Sequence, residues 1–152
     1  MPRAPSSPTK TLLLNIVDCG FDRASWHGAN LTSSLRGVRA KTAIRRLPGR
    51  KSIWGQLLHA AYWKQRVLNR LLGTTPFPRR GSNWPKPTSQ ATQANWRADI
   101  RMLKQLHQRL RQAIVDIPSK RLDAKMIWRI HGVAAHDIYH AGQIKLLRRM
   151  TK

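Results

Sequence analysis

Apolar residues recur at helical spacing in four long stretches of this chain, and polar or ring-bearing punctuation separates the stretches. The first runs from a Thr9 cap to about Asp22. A polar–aromatic mixture at Ser25-Trp26-His27-Gly28-Ala29-Asn30 then predicts a turn. Short helical pieces are expected over residues 31–36, ended by Gly37, and 40–47, stopped by Pro48-Gly49. Ser52 reads as the cap of a second long helix, Ile53 to Leu72, with Gly73 after it. At roughly 100° per residue, Leu57, Leu58, Ala61, Leu68 and Leu72 share one arc, and His59 falls outside it near Tyr62 and Trp63. Pro76, Pro78, Pro85, Pro87 and Gly81 forbid regular structure over 74–91. So long a connection in a helical protein has the task of a crossover between parallel helices, and Phe77 and Trp84 indicate that it packs down. The third long helix carries a seam of Trp96, Ile100, Leu103, His107, Leu110, Ile114 and Ile117, alternating steps of four and three, until Pro118 closes it. Asp123 caps a fourth that continues to about Met150. No strand-like alternation or internal repeat interrupts the pattern. The fold class is all-α, with residues 9–152 as one domain behind a loose Pro- and Ser-rich arm at 1–8.

Composition changes the picture in one respect. An apolar content of 41% over 152 residues suffices for a real core, but 29 Lys and Arg stand against six acids, all of them Asp, for a formal charge of +23. A field of that sign attracts anions, nucleic acid among them. The basic doublets Arg45-Arg46, Arg79-Arg80 and Arg148-Arg149 are scattered, however, and no run of like charges forms a tail. The lone Cys19 rules out an internal disulfide and reads as a small core side chain in a reducing compartment. Asn15 and Asp18 break the only apolar run near the N-terminus, so no signal peptide is expected. Nothing approaches the ~20 apolar residues of a membrane span. A cytoplasmic protein is the expectation.

The candidate chemistry lies in Ala134-Ala135-His136-Asp137-Ile138-Tyr139-His140-Ala141-Gly142-Gln143. Histidines four apart stand one above the other on a helix, and two imidazole nitrogens can then converge on one divalent ion. His136 and His140 share an arc with Val133, Ile144 and Leu147, so they face inward. A third ligand must come from another element, and His59 is the candidate. Three imidazoles suit Zn²⁺ or Ni²⁺ and leave a position for water or a thiolate. No His-Glu-x-x-His is present, so the zincin arrangement is excluded. Asp137, about 100° round the helix from His136, is a weak ligand candidate, and otherwise a partner behind a ligand or half of a helix-surface salt bridge. Gln143, one turn beyond His140, could orient water or substrate, or pack at a polar edge. Against these stands the reading of each histidine as a hydrogen-bonded core residue, which is preferred for His107.

Taken together and in order, Ser25-Trp26-His27-Gly28-Ala29-Asn30-Leu31, Ser34-Leu35-Arg36-Gly37, Ile53-Trp54-x-x-Leu57-Leu58-His59-Ala60-Ala61-Tyr62-Trp63-Lys64, Phe77-Pro78 through Gly81-Ser82-Asn83-Trp84, and Gly132 through Ile144 resemble the DinB-like superfamily of bacterial proteins. The resemblance implies a four-helix bundle, up-down-down-up, with the long crossover between its second and third helices. It implies a divalent metal on His59, His136 and His140, in a cleft at one end of the bundle, and a homodimer. Among such bundles are thiol-dependent transferases acting through a metal-held thiolate and proteins classed as metal-dependent hydrolases.

The expected function is that of a metal-dependent enzyme, a thiol-dependent transferase or hydrolase acting on a small-molecule substrate, with a low-molecular-weight thiol as a second cofactor. Trp26, His27, Tyr62 and Trp63 are candidate pocket walls. The alternatives are a basic, nucleic-acid-associated bundle with a structural metal, for which the charge is the only argument, and a non-catalytic scaffold.

Overall fold

A computed structural model describes residues 7–88 and 90–151; of the arm expected at 1–8, residues 1–6 lie outside the described residues. Among the described residues there are six α-helices and no strand: α1 (Pro8–Phe21), α2 (Leu31–Leu35), α3 (Ala40–Ala43), α4 (Ile53–Leu72), α5 (Gln93–Asp116) and α6 (Ala124–Met150), with a single 3-10 turn at Ser119–Arg121.

The helix ends follow local chemistry. Helix α1 starts earlier than Thr9: Ser7 is its cap, accepting from Lys10 N at 3.3 Å, and Pro8 fills the first turn, where its missing N–H costs nothing. Ser52 Oγ accepts from Gly55 N at 3.0 Å and Asp123 Oδ1 from Met126 N at 2.8 Å, as their sequence positions predict. Gly73 ends α4 at φ 104°, a backbone state that disfavours any residue with a Cβ. Helix α5 stops at Asp116 because Ile117, preceding Pro118, is driven to extended backbone. Helix α3 is shorter than expected, four residues, and the chain leaves it well before Pro48.

Helix α4 packs on α5 and α6, and α1 packs on α6 and α5. Leu57, Leu58, Ala61 and Leu68 are buried as their arc requires; Leu72, on the last turn, is exposed. Trp54 and Trp96 meet edge to face at 5.1 Å, and both indole N–H groups are satisfied, by Asp99 at 2.7 Å and by the Val38 carbonyl at 2.8 Å. Helices α1 and α6 approach so closely that a Cβ on Gly20 would lie 2.9 Å from the Ala134 carbonyl oxygen.

Three of the six acids are buried as counter-ions. Asp99 accepts from Trp54 and from Arg79, which pins the crossover to α5. Asp18 holds Arg111 at 2.6 Å, Arg23 at 3.2 Å and His107 at 3.2 Å, joining α1 to α5. Asp137 meets Lys64 at 2.6 Å with both side chains fully buried, joining α6 to α4. His107 is a core histidine: Phe21 stacks on it at 3.8 Å, and burial, seconded by the Lys64 ammonium, lowers its pKa to about 3 against the pull of Asp18. Cys19 is half-buried, its thiol directed at the Ala24 carbonyl oxygen at 3.8 Å.

Candidate metal centre

Helices α4 and α6 pack together, and the crossover reaches them at His59 through Asn83 and Trp84. His59 comes from the second turn of α4 and His136 and His140 from α6. Their nearest ligand atoms all lie within 4.8 Å of one another. His136 Nε2 is 3.0 Å from His59 Nε2 and 3.0 Å from His140 Nε2.

For His59 and His140 the outer nitrogen decides what the inner one is, whereas Nδ1 of His136 is buried with no hydrogen-bond partner among the described residues. His59 Nδ1 donates to the Asn83 carbonyl oxygen at 2.5 Å, and a carbonyl can only accept. His140 Nδ1 donates to Gln56 Oε1 at 2.5 Å. In the neutral rings this places both protons on Nδ1 and turns bare Nε2 lone pairs toward the shared centre. A single proton on His136 Nε2 serves two lone pairs poorly, whereas one divalent ion serves all three. Four-coordinate zinc, with Zn–N bonds of roughly 2.0–2.1 Å, keeps neighbouring nitrogens about 3.4 Å apart, close to the spacing found. The residues therefore fit a divalent ion.

Electrostatics agree. Burial lowers the pKa of His136 to about 4, with His59 and Lys64 adding to it, and that of His140 to about 3, with the other two histidines adding. His59 is lowered by burial, and its bond to Asn83 opposes the shift. All three rings are neutral near pH 7, the form that ligates.

The crossover completes the site. Trp84 stacks on His59 at 3.8 Å and 11°, with Lys51 Nζ 5.3 Å from the indole centroid. Asn83 is fixed from a second side, accepting from Trp63 Nε1 at 2.8 Å through its own side chain. A cavity of about 300 Å³ opens beside the three histidines, lined also by Gln56, Trp84, Tyr139, Gln143, Arg50 and Lys51. Its lining holds two cations and no carboxylate.

A family model described as the DinB superfamily matches residues 24–144. The chain belongs to the DinB superfamily. Comparison with curated proteins and with solved structures gives no match. The matched span contains α2 to α5, all of the crossover and α6 as far as Ile144, and so every residue of the histidine cluster.

Within this DinB-superfamily chain several expected site residues sit elsewhere. Trp26 is fully exposed and is not part of the lining of the histidine cavity. His27 is spent locally, on Ser25 Oγ at 2.8 Å and the Ala29 carbonyl at 3.1 Å, because Gly28 at φ 83° folds this turn back on itself. Tyr62 packs edge-on to Trp63 and Phe77 and lines a separate cavity with Gly81 and Ser82. Trp63 is 6.4 Å from His136, ring to ring, and borders a neighbouring cleft. Asp137 is neither behind a ligand nor on the helix surface. It points into the interior to Lys64, where burial raises its pKa against the pull of the ammonium. Gln143 does reach the cavity. Sequence reasoning missed Gln56, Asn83 and Trp84. Gln56 left a local signal, three residues before His59 and hence on its face, and Trp84 reads only as packing the crossover down. A second group that could hold an ion, Asp18, Asp22 and His107, is a poorer one, since Asp18 is already engaged by two guanidiniums.

Proposed function

We propose that this chain is a metal-dependent enzyme in which His59, His136 and His140 hold one divalent ion, zinc or nickel, and the adjoining cavity receives an anionic small molecule. The observation that carries the reading is the tautomer lock: Asn83 and Gln56 take the Nδ1 protons of His59 and His140 and leave their Nε2 lone pairs convergent. Held by His59, His136 and His140, the ion would supply Lewis acidity that acidifies a water or a thiol. The chain does the rest. Trp84 fixes the His59 plane and closes one wall. Arg50 and Lys51 draw an anion to the mouth, and Gln143 offers an amide to orient it. The four long helices are read as the up-down-down-up bundle, which the contacts of α4 with α5 and α6 and of α1 with α5 and α6 support.

The reaction class is thiol transfer, with hydrolysis second. Glutathione, cysteine and coenzyme A, each mixed with 1-chloro-2,4-dinitrobenzene, test it. Thiol consumption by the zinc- or nickel-loaded protein, absent after EDTA and absent in His140→Ala, is the expected result. Equal rates before and after EDTA would leave no metal-dependent transfer.

One observation favours a second reading. With Asp18, Asp99 and Asp137 buried, only Asp22, Asp116 and Asp123 oppose the cations at the surface. Nucleic acid binding through that surface would weaken with salt at a log–log slope near −0.9 per phosphate contact on duplex DNA. Binding that vanishes by about 0.15 M salt removes it. Among the described residues no helix is long and apolar enough to cross a membrane.

A further inference from the structure

A second cleft, about 290 Å³, lies between α4 and α6 on the other side of His136. Its walls include Trp63, Arg66 and Arg70 of α4 and Trp128, Arg129 and His136 of α6. Among the described residues Trp128 is 73% exposed and Trp63 40%, both large apolar side chains left open to solvent. No carboxylate pairs with the three guanidiniums among the described residues, where Arg23, Arg79 and Arg111 are the arginines that have one.

We infer that this cleft binds a compact aromatic anion, its ring between Trp63 and Trp128 and its carboxylate on the arginines. Three features select that occupant. Indole faces and edges favour a flat ring, and guanidinium forks take a carboxylate in two parallel hydrogen bonds. The volume, near the lower bound of small-molecule sites at roughly 300 Å³, suits a ligand of one or two rings. A second copy of this chain is disfavoured by charge. A two-fold interface centred here sets the same patch against itself, bringing both sets of three guanidiniums together with no acid between them. A single-stranded nucleic acid would also meet tryptophans and arginines, but it needs a groove that tracks the backbone over several nucleotides, and this cleft is about 290 Å³.

The inference does not rest on the metal. His136 borders both the cleft and the histidine cavity, so a ligand here would sit against that residue.

The test is titration of the full chain with 2-naphthoate, followed by tryptophan fluorescence and calorimetry, as purified and again after EDTA. Saturable one-to-one binding in both preparations is expected. The neutral 2-naphthamide should bind about tenfold or more weakly, since it forfeits the charge-assisted bonds. Arg66→Gln with Arg70→Gln should weaken naphthoate to a similar degree, and Trp128→Ala should remove it, while Trp26→Ala leaves it unchanged. All these side chains are at the surface, and circular dichroism confirms that the variants fold. Equal affinity for acid and amide, or no effect of the arginine pair, would overturn the proposal. So would (dT)12 occupying the same residues with a steep salt slope while naphthoate fails to compete, or a Trp128-dependent dimer in sedimentation. Loss of naphthoate binding only after EDTA would move the site to the histidine cavity and overturn it too. Metal analysis of the same samples reads the histidine site separately.

Discussion

Replacing Lys64 by methionine leaves the Asp137 carboxylate without its partner in a fully dry interior. Both side chains of the pair are 0% exposed, and Asp137 Oδ1 already lacks a hydrogen bond, so no other donor stands by to take over. Breaking a buried pair from one side costs about 3–5 kcal/mol, because the survivor's charge is left uncompensated or must take a proton. In a chain of 152 residues, at roughly 2–4 °C per kcal/mol, this amounts to a fall in Tm of about 10 °C. The double variant Lys64→Met, Asp137→Leu removes both charges at nearly the same number of side-chain heavy atoms, and should recover most of the loss. The assay is urea denaturation followed by circular dichroism on the four members of the cycle. Its readout is the coupling energy between the two positions. A single Lys64→Met variant within about 1 kcal/mol of wild type would refute the reasoning, since a pair of so little consequence belongs on the surface. The pair also has a positional role. Asp137 follows His136 on α6, and Lys64 is five residues past His59 on α4, so it clamps the two helices beneath the histidine cluster. The single variant should therefore weaken metal retention as well as stability.

Further outcomes follow from the same geometry. Gln56→Ala removes the acceptor of the His140 Nδ1 proton and should lower zinc affinity about 10- to 100-fold in competition with a chromophoric chelator, leaving the fold intact. Unchanged affinity would mean that the bond does not set the tautomer. In the folded chain the pKa values of His136, about 4, and His140, about 3, lie below the usual 6.5, so the unfolded state binds more protons at these two rings as pH falls through that value. The stability of the metal-free protein should accordingly decline from about pH 6.5 toward the folded values near 4 and 3, most steeply below pH 6. Urea midpoints measured from pH 8 to 4 check this, and His136→Ala with His140→Ala should flatten the slope. Gly20→Ala drives a methyl group against the Ala134 backbone and should cost about 1–3 kcal/mol in the same assay, by prying α1 from α6.

The long helices were legible because each carries both a periodic apolar face and a terminal signal, such as Ser52 and Gly73 for α4. The histidine pair was legible because spacing within one helix fixes it. His59 could be nominated but not placed, since its wheel position lies off the main apolar arc. The structure shows the reason: the crossover, through Trp84 and Asn83, builds a second wall that buries that edge of α4. Partners drawn from different elements, such as Gln56 with His140 or Lys64 with Asp137, leave no periodic trace. Trp26 and His27 misled for the opposite reason. Their residue types suggest a pocket, but a glycine turn closes His27 on its own neighbours and leaves Trp26 in water. The net charge gave the sign of the surface but hid that half of the acids are internal counter-ions.

The most direct test is elemental analysis of the protein, purified without a His-tag, beside His136→Ala. About one zinc or nickel ion per chain, retained through dialysis and lost in the variant, is the expected result. No bound metal in the wild type, even after incubation with Zn²⁺ and Ni²⁺, or equal metal content in both proteins, would contradict it.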